Sequence, residues 1–511
     1  MIVNGKKYAR AAAEQSGIRI DTDSGRGNIY DRNLLSFTSF RKRKMAVVVK
    51  SDNPETDFEI CTLLDKADSY RLYSELHSNE IVFYELPWDF NDNLLSEYEN
   101  VYVYDDTQRY ESSGLASAVI GYTSDGEGMS GIEFAANKYL KNGDSGVFYL
   151  TKDANGRLLS GLSFDKKINP TGLLLKTTLD KKYTEICQNA LKEKCGAVVL
   201  LDVPDFNLIS MVSSPTFDSN CIENYLHSPE KPLLNRATSL YDMGSVFKIV
   251  VTAAALESKC VDIDERFECN GSKKVGNVPF LCKNHEQLSY LTLKDAFVHS
   301  CNSVFIDIGQ KTSYNNIIDM ACAFGLNQKL IYPEAFPQSS GLLPDKNNYY
   351  LADVANLSIG QGKLMGTVVH GAYISGIIAN GGISNKINIL DSLLDMSGNP
   401  CVDLKEHCKK RVVSEQTAKV IADMMQTTVE IGTGKSAVSP YVQSSGKTGS
   451  AQTGIVNDGE SVVHAWFTGF FPVESPKYAL CVFIEDGKSG GASAAPVFRE
   501  ISEKIALMEG W

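Results

Sequence analysis

The sequence predicts a multidomain protein whose larger, C-terminal part is a mixed α/β or α+β domain. A length of 511 residues suggests more than one domain, and a hydrophobic content of 43% is enough for large packed cores. The third observation is the order of segments after residue 172. The strand-like "LLLKTTLD" is followed by the helix-like "KYTEICQNALKEKC" and by a second strand-like run, "GAVVLLDV".

The elements divide the chain into residues 1–165 and 166–511. The first region carries short strand-like runs, "MAVVVK" and "VYVY", and no catalytic constellation. The segment "NPTG" is the expected connection to the second region. That region continues with the strand "LISMVSS", the helices "SVFKIVVTAAALESK", "LTLKDAFVHS" and "NSVFIDIGQK", the strands "HAWFTGFF" and "YALCVFIED", and the helix "PVFREISEKIALM". The first of these helices is apolar nearly all round, which predicts a buried position.

Composition excludes some functions. A formal net charge of −12 argues against a nucleic-acid-binding protein. The basic run "RKRK" is expected to be a solvated loop. The sequence contains no run of the roughly 18 apolar residues that a membrane-spanning helix needs. Its N-terminus lacks the layout of a signal peptide, which at face value predicts a soluble chain; the alternative is a leader or anchor that precedes this sequence.

The stretch "YDMGSVFK" offers a candidate nucleophile. Ser245 and Lys248 are three residues apart at the start of an apolar helix, so their side chains share a face. A serine needs a nearby base, and a lysine is a base only if its pKa is depressed, for example by desolvation. The alternative is a capping serine followed by a lysine that extends into solvent. The same spacing recurs four times elsewhere, so it proves little by itself.

Two downstream motifs favour the catalytic interpretation. "SCN" places Ser300 and Asn302 at a break between two helices, and "KTG" begins at Lys447. The set S-x-x-K, S-D-N and K-T-G marks serine β-lactamases and penicillin-binding proteins, and Ser245 has both partners downstream in that order. "GKSGG" around Ser489 is excluded as a hydrolase elbow because no histidine follows it. "GTGKS" and "SGKTG" lack the first glycine of a phosphate loop.

A separate cluster is a candidate metal site. Cys269, Cys282 and His285 have the spacing C-x12-C-x2-H, which can supply three ligands of a structural zinc, with Asp264 or Asp262 as a fourth. The two cysteines could instead form a disulfide in an exported protein or stay as separate thiols.

Beyond these motifs, the chain resembles the monofunctional, class B penicillin-binding proteins. "RGNIYDRN" and "GMSGIE" are similar to two boxes of the N-terminal pedestal of that class. "LISMVSSPTFDSN", "NRATSLYDMGSVFK", "VHSCNSVF", "ANLSIGQGKL" and "HAWFTGFFP" then follow in family order. The resemblance implies an α+β multidomain fold: a pedestal in residues 1–165 and, in 166–511, a serine β-lactamase-like transpeptidase domain with a central antiparallel sheet flanked by helices. Met243 and Ser450 depart from residues common in the family, but neither change removes a catalytic group.

The resemblance also implies an activity, a D,D-transpeptidase that cross-links peptidoglycan stem peptides and is acylated by β-lactams. Ser245 would be the nucleophile, Lys248 its base, Ser300 a proton relay and Asn302 a substrate-orienting residue. Lys447 would keep Lys248 neutral. Residues Thr448, Gly449 and Ser450 would bind substrate, with the backbone N–H groups of Ser245 and Ser450 as the oxyanion hole.

The wider expectations follow from the same resemblance. No cofactor would be needed for catalysis, and a glycosyltransferase or cell-wall complex would be the partner. The expected location is the extracytoplasmic face of a bacterial membrane, with the anchor missing from this chain. The alternatives are a β-lactamase, disfavoured by the long N-terminal region, and a penicillin-binding sensor on the same fold.

Overall fold

The computed structural model describes residues 17–21, 26–39, 41–141, 147–151, 173–282, 290–395, 397–457 and 460–511. The expected connection Asn169–Gly172, and with it the predicted boundary between residues 165 and 166, lies outside these ranges. Within them, no helix is long and apolar enough to cross a membrane.

A three-stranded antiparallel sheet with two helices forms the first layered unit. Strand Arg41–Val49 is central, between Ile81–Leu86 and Val101–Gln108. Helices Pro54–Leu64 and Ser69–Asn79 contribute to the core on one face of this sheet. The strands predicted from "MAVVVK" and "VYVY" are therefore confirmed. The core consists of Ala46, Val48, Ile60, Cys61, Leu64, Leu72, Leu76, Val82, Leu86, Leu95 and Val101.

The basic run Arg41–Lys44 belongs to this central strand, so the prediction of a solvated loop is wrong. Its charges are matched across the sheet, because Arg41 lies 2.8 Å from Glu85 and Arg43 lies 2.7 Å from Asp106. Cross-strand ion pairs of this kind stabilise a sheet and make the run compatible with a strand.

The two pedestal-like boxes meet at a buried carboxylate. Arg26, from the first box, donates from Nε to Glu133 Oε2 at 2.6 Å, and Glu133, from the second box, is fully buried. Arg109 Nε and the Tyr110 hydroxyl both donate to the other oxygen, Oε1, at 2.6 and 3.0 Å. Segments more than 100 residues apart in sequence are thus fixed to each other by paired, hydrogen-bonded charges, as burial requires.

A second sheet ties the first box to the C-terminal region. Ile29–Tyr30 runs parallel to Leu174–Thr177, which pairs in turn with Leu390–Leu394 and then Pro400–Asp403. Residues of both regions share one hydrophobic core, from Ile29 to Phe483.

The centre of the C-terminal region is a five-stranded antiparallel sheet. Its strands lie in the order Leu208–Ser214, Gly196–Asp202, Tyr478–Ile484, Glu460–Phe471 and Ser445–Asn457. The first three have side chains buried along nearly their whole length, which indicates that both faces of the sheet are covered. The predicted central antiparallel sheet is confirmed.

Helices cover the two faces. Val368–Ala379, which is apolar on all sides and buried, packs against three strands of the sheet. Lys181–Leu191 and Ala495–Glu509 share a second core with the opposite face. The helices Lys248–Glu257, Leu293–Val298, Asn302–Thr312, Tyr314–Ala323, Leu351–Ser358 and Glu415–Glu430 complete the larger elements.

Short elements fill the remaining connections. The short helices are Ser117–Ile120, Gly131–Ala135 and Asn137–Leu140, with helical turns at Asp92–Leu94, Ile222–Tyr225, Gly244–Phe247, Lys435–Ala437 and Gly490–Ala494. The two-stranded pairs are Gly17–Asp21 with Val147–Thr151, Thr123–Ser124 with Glu127–Gly128, Arg266–Glu268 with Tyr290–Thr292, Ser272–Val275 with Val278–Leu281, Ile331–Tyr332 with Ile387–Asn388, and Ile383–Ser384 with Lys410–Arg411.

Candidate active site

Ser245 lies in a tight turn that leads directly into the buried helix Lys248–Glu257. The turn is a 3₁₀ helix, Gly244–Phe247, and its first residue has φ +54°, a value that favours glycine. Neither the turn nor the helix is capped by the side chain of Ser245. The capping interpretation is therefore wrong, and the half-buried Ser245 hydroxyl has no hydrogen bond to any described residue.

Neighbouring glycines hold this turn against the edge of the central sheet. A Cβ on Gly360, in the "SIGQG" segment, would lie 1.9 Å from the carbonyl oxygen of Gly244. On the other side, a Cβ on Gly449 would lie 3.0 Å from the carbonyl oxygen of Met243. The close approach of three backbone segments brings Ser245 next to the strand that carries Gly449 and Ser450.

Lys248 is completely buried, which excludes the interpretation of a lysine extending into solvent. Its Nζ donates to the backbone oxygen of Ser300 at 2.8 Å, to Ser300 Oγ at 3.3 Å and to Asn302 Oδ1 at 2.9 Å. Asn302 is oriented by a second bond, from Nδ2 to the carbonyl of Leu281 at 3.1 Å. The S-x-N residues thus surround the amine of the S-x-x-K lysine.

Ser300 lies between two lysines. Lys447, also fully buried, donates from Nζ to Ser300 Oγ at 3.0 Å and to the Thr448 carbonyl at 3.2 Å. Ser300 has φ +56°, a strained conformation for a residue other than glycine, at the break between helices Leu293–Val298 and Asn302–Thr312. Such strain is concentrated at functional sites.

The two lysines have depressed pKa values. Burial lowers the pKa of Lys248 to about 7, although nearby Cys301 and Cys282 act in the opposite direction. Burial, and then the charge of Lys248, hold the pKa of Lys447 well below its usual value. An amine with a pKa near neutrality can accept a proton at physiological pH, as a general base must.

The K-T-G residues lie on the edge strand Ser445–Asn457, where one row of backbone groups has no neighbouring strand in the sheet. The Thr448 hydroxyl is 2.7 Å from the hydroxyl of Thr433. Ser450 Oγ accepts a hydrogen bond from the backbone N–H of Gly490 at 3.1 Å. The structure therefore brings all eight predicted catalytic and substrate-binding residues together, between the helices and the sheet edge.

Sequence reasoning missed Thr433. It belongs to "GTGKS", which was considered only as a failed phosphate loop, and it follows the helix Glu415–Glu430. The backbone N–H of Thr433 is bonded to the carbonyl of Val298 at 3.2 Å, which fixes its position beside Thr448. No short motif connects these two threonines, so only the fold reveals the pair.

Two of the predicted metal ligands, Cys269 and Cys282, lie close together, and Cys301, which was not predicted, lies beside them. The sulfur atoms of Cys269, Cys282 and Cys301 lie within 4.8 Å of one another. His285 lies outside the described residues. Among those that are described, neither Asp262 nor Asp264 belongs to this cluster. Cys301 is the middle residue of the "SCN" motif, and its thiol caps the helix Asn302–Thr312, so the cluster adjoins Lys248.

Within the cluster, Cys282 and Cys301 interact directly. Their sulfur atoms are 3.8 Å apart, so they are thiols and not a disulfide. The hydrogen bond with Cys301 and those from Ser303 lower the pKa of Cys282, although burial acts in the opposite direction, and the contact with Cys282 raises the pKa of Cys301. One thiolate stabilised by its neighbours is the arrangement expected where soft metal ligands converge.

Comparisons with known proteins agree with the resemblance that the sequence motifs indicate. Residues 196–503, more than half of the chain, match the family described as the penicillin binding protein transpeptidase domain. Peptidoglycan D,D-transpeptidase PbpA of Mycolicibacterium smegmatis is 29% identical over 441 residues, which cover 78% of this chain and 84% of the relative.

Two solved structures share the fold. The ceftriaxone acyl-enzyme complex of penicillin-binding protein A from M. tuberculosis is 26% identical, with a TM-score of 0.66 over 79% of this chain and 93% of that one. A chain from a peptidoglycan synthase complex that coordinates polymerization and crosslinking is 22% identical, with a TM-score of 0.73 over 98% and 93% of the two chains.

Proposed function

The chain belongs to the penicillin-binding protein transpeptidase family, and we propose that it is a serine-type peptidoglycan D,D-transpeptidase with Ser245 as its nucleophile. One observation carries the proposal: two fully buried lysines share the hydroxyl of Ser300 next to the turn that bears Ser245. A buried pair of like charges is strongly disfavoured, so the pair keeps one amine neutral and able to accept a proton.

Acylation uses the residues as follows. Neutral Lys248 takes the proton of Ser245 as Oγ attacks the carbonyl between two terminal D-alanines. The N–H groups of Ser245 and Ser450 hold the developing oxyanion, a contribution of about 3 kcal/mol per donor. When the C–N bond breaks, Ser300 passes a proton towards the departing D-alanine amine. The product is an ester on Ser245.

Substrate recognition and the second step use the same cleft. Asn302 orients the stem-peptide amide, while Thr448 and Lys447 bind the terminal carboxylate, with Thr433 aligning the hydroxyl of Thr448. Gly449 leaves room for the close approach of the nucleophile turn. The amine of an acceptor stem peptide then attacks the ester, which forms the cross-link and restores the Ser245 hydroxyl. A β-lactam acylates the same serine.

A labelled penicillin tests this mechanism. We expect a stable adduct of one label per chain in the wild type and none in Ser245→Ala, with both proteins equally folded by circular dichroism. An adduct on the variant would show that another residue is the nucleophile.

The same experiment separates the alternatives. Rapid loss of the label with turnover of penicillin would indicate a β-lactamase. A stable adduct without turnover of a D-Ala-D-Ala peptide would indicate a sensor on the same fold. The similarity to D,D-transpeptidase PbpA over 84% of that relative favours the transpeptidase.

The family context extends the proposal to the whole protein. Residues 1–165 form a pedestal and residues 166–511 the transpeptidase domain. The enzyme acts at the extracytoplasmic face of a bacterial membrane. Its partner is a glycosyltransferase of the cell-wall machinery, and its substrates are peptidoglycan stem peptides. Fractionation of cells, followed by cross-linking of the native protein, tests location and partner together.

The cysteine cluster supports a structural zinc. Tetrahedral zinc with bonds of about 2.3 Å to sulfur separates two thiolates by about 3.8 Å. This matches the Cys282–Cys301 separation of 3.8 Å. Cys269, Cys282 and Cys301 supply three ligands, and His285 is the candidate for the fourth. Catalysis itself uses no cofactor.

Elemental analysis of the purified protein tests the zinc proposal. We expect one zinc per chain, and less in Cys282→Ser. A substoichiometric amount, together with a mass two hydrogens lower because of a disulfide such as Cys269–Cys282, would refute it.

A further inference from the structure

The carboxylate of Glu485 joins two segments of the candidate active site that sequence motifs do not connect. Glu485 directly follows the central strand Tyr478–Ile484. Its Oε1 accepts a hydrogen bond from the hydroxyl of Tyr241 at 2.8 Å, and its Oε2 accepts one from Arg236 Nε at 2.9 Å. The side chains of Arg236 and Glu485 are only 4% and 20% exposed, so this is a largely desolvated ion pair.

On one side, this carboxylate holds the approach to the nucleophile. Tyr241 is four residues before Ser245, and its backbone pairs with Gly366 through two hydrogen bonds of 2.9 Å. Its ring packs 4.2 Å from Phe483 and 5.5 Å from His464, both on the central sheet. The segment entering the Gly244–Phe247 turn is therefore attached to the sheet through one aromatic ring and one hydroxyl.

On the other side, the same residue begins the loop that supports Ser450. Five residues after Glu485, the N–H of Gly490 donates to Ser450 Oγ at 3.1 Å. A Cβ on Gly490 would lie 2.5 Å from the carbonyl oxygen of Gly449, so this loop touches the edge strand itself. The start of the loop is fixed by the bond from the Glu485 N–H to the carbonyl of Cys195 at 2.9 Å.

We propose that Glu485 is a positioning residue that sets the spacing between the two halves of the oxyanion hole. The inference rests on the proposed function, in which the N–H groups of Ser245 and Ser450 stabilise the oxyanion. Hydrogen bonds from Tyr241 and Arg236 fix the carboxylate. Tyr241 in turn positions the segment that leads to Ser245, and the loop that contains Gly490 positions Ser450. Small errors in the placement of such donors reduce the stabilisation of the transition state, but they do not reduce the affinity for the substrate.

The guanidinium of Arg236 is held by further hydrogen bonds. Its other nitrogens, Nη1 and Nη2, donate to the carbonyls of Lys231 and Glu230 at 3.2 and 2.8 Å. Because each of the three Arg236 nitrogens makes a hydrogen bond, the guanidinium holds the carboxylate in one orientation, and among the described residues the Tyr241 hydroxyl links that carboxylate to the nucleophile segment.

The test separates the acylation rate constant from the dissociation constant of the initial complex, using stopped-flow acylation by a chromogenic cephalosporin. Tyr241→Phe removes only the hydroxyl. We expect its acylation rate constant to fall about 10-fold, less than the loss of about 10²–10³ for removal of a whole oxyanion donor. The dissociation constant should stay within about two-fold of the wild-type value.

The chain provides a matched control. Tyr183 is another buried tyrosine whose hydroxyl bonds to a glutamate, Glu509, and also lies 3.0 Å from the Tyr478 hydroxyl. Tyr183→Phe makes the same chemical change on the opposite face of the sheet, so its acylation rate constant should not change. Glu485→Gln can still bond to both partners and should keep acylation within about three-fold.

Several results would overturn the inference. These are a Tyr241→Phe rate constant within two-fold of wild type, an equal loss in Tyr183→Phe, or a loss confined to the dissociation constant. If Tyr241→Phe does not fold, Glu485→Ala takes its place, and an acylation rate constant within two-fold of wild type in that folded variant would overturn the inference. A wild-type protein that is not acylated at all would instead refute the proposed function.

Discussion

The depressed pKa of Lys248 makes a direct prediction for Asn302→Asp. In the wild type, the neutral amide oxygen of Asn302 lies 2.9 Å from Lys248 Nζ. Replacing it with a carboxylate puts a negative charge at hydrogen-bond distance from the amine. An opposite charge this close raises the pKa of a lysine by about 1–3 units. Because the proposed base is the neutral amine, a higher pKa should leave less active enzyme at neutral pH.

The size of the effect follows from the protonation equilibrium. Burial places the pKa of Lys248 at about 7, so about half of the molecules carry a neutral amine at pH 7. An increase of about 2 units would leave about 1% neutral, which is a loss of about 50-fold in the acylation rate. The loss should disappear at high pH, because the amine is then deprotonated in both proteins.

The assay is the second-order rate of penicillin acylation between pH 5.5 and 9.5. For the wild type we expect a rate that rises with pH and levels off above about 7. For Asn302→Asp the inflection should move to about 9. Asn302→Ser is the control, since it also loses the bond to the Leu281 carbonyl but adds no charge. The reasoning is refuted if the aspartate variant inflects at the wild-type pH, or if the wild-type rate is still rising at pH 9.5.

Two further predictions concern other contacts. Thr433→Val removes the hydroxyl 2.7 Å from that of Thr448. It should lower the rate of penicillin acylation about five-fold, the equivalent of about 1 kcal/mol for one hydrogen bond, whereas Thr433→Ser should keep the wild-type rate. Equal rates in all three proteins would exclude a role for Thr433. Glu133→Gln removes a buried charge that pairs with Arg26 and Arg109 and should lower the free energy of unfolding in urea by about 3–5 kcal/mol. The control Glu85→Gln, at an exposed pair, should cost no more than about 1 kcal/mol, and similar losses in both variants would contradict the burial argument.

The sequence predicted the buried elements well because their signals are local. The apolar runs of Gly196–Asp202 and Leu208–Ser214 indicate strands that are covered on both faces, and the structure buries both strands. The apolar helix that begins at Lys248 is also buried, as predicted. The break at Cys301 is also where it was predicted, between Val298 and Asn302. The order of strands in the sheet was not available from such signals, since pairing depends on contacts between distant segments.

The strand that carries K-T-G was not predicted, and its composition explains why. Ser445–Asn457 spans 13 residues rich in serine, threonine and glycine, which is typical of turns. The structure shows what the small residues do. A Cβ on Gly446 would lie 2.4 Å from the Phe467 ring, and one on Gly449 would lie 2.9 Å from Val246. The glycines allow close packing on both sides of the strand, so they mark a tightly packed edge and not a turn.

The catalytic spacing S-x-x-K became informative only through its surroundings, and the structure gives the reason in terms of charge. The same serine–lysine spacing links Ser444 to Lys447, yet Ser444 is buried and its hydroxyl has no hydrogen-bond partner among the described residues. What distinguishes Lys248 is that its amine has three oxygen partners and a second buried amine bonded to the same Ser300 hydroxyl. In that environment the lysine can lose its proton near neutrality, whereas an exposed lysine at the same spacing would stay charged and could not act as a base. The chemistry therefore depends on the convergence of three motifs around one desolvated nitrogen.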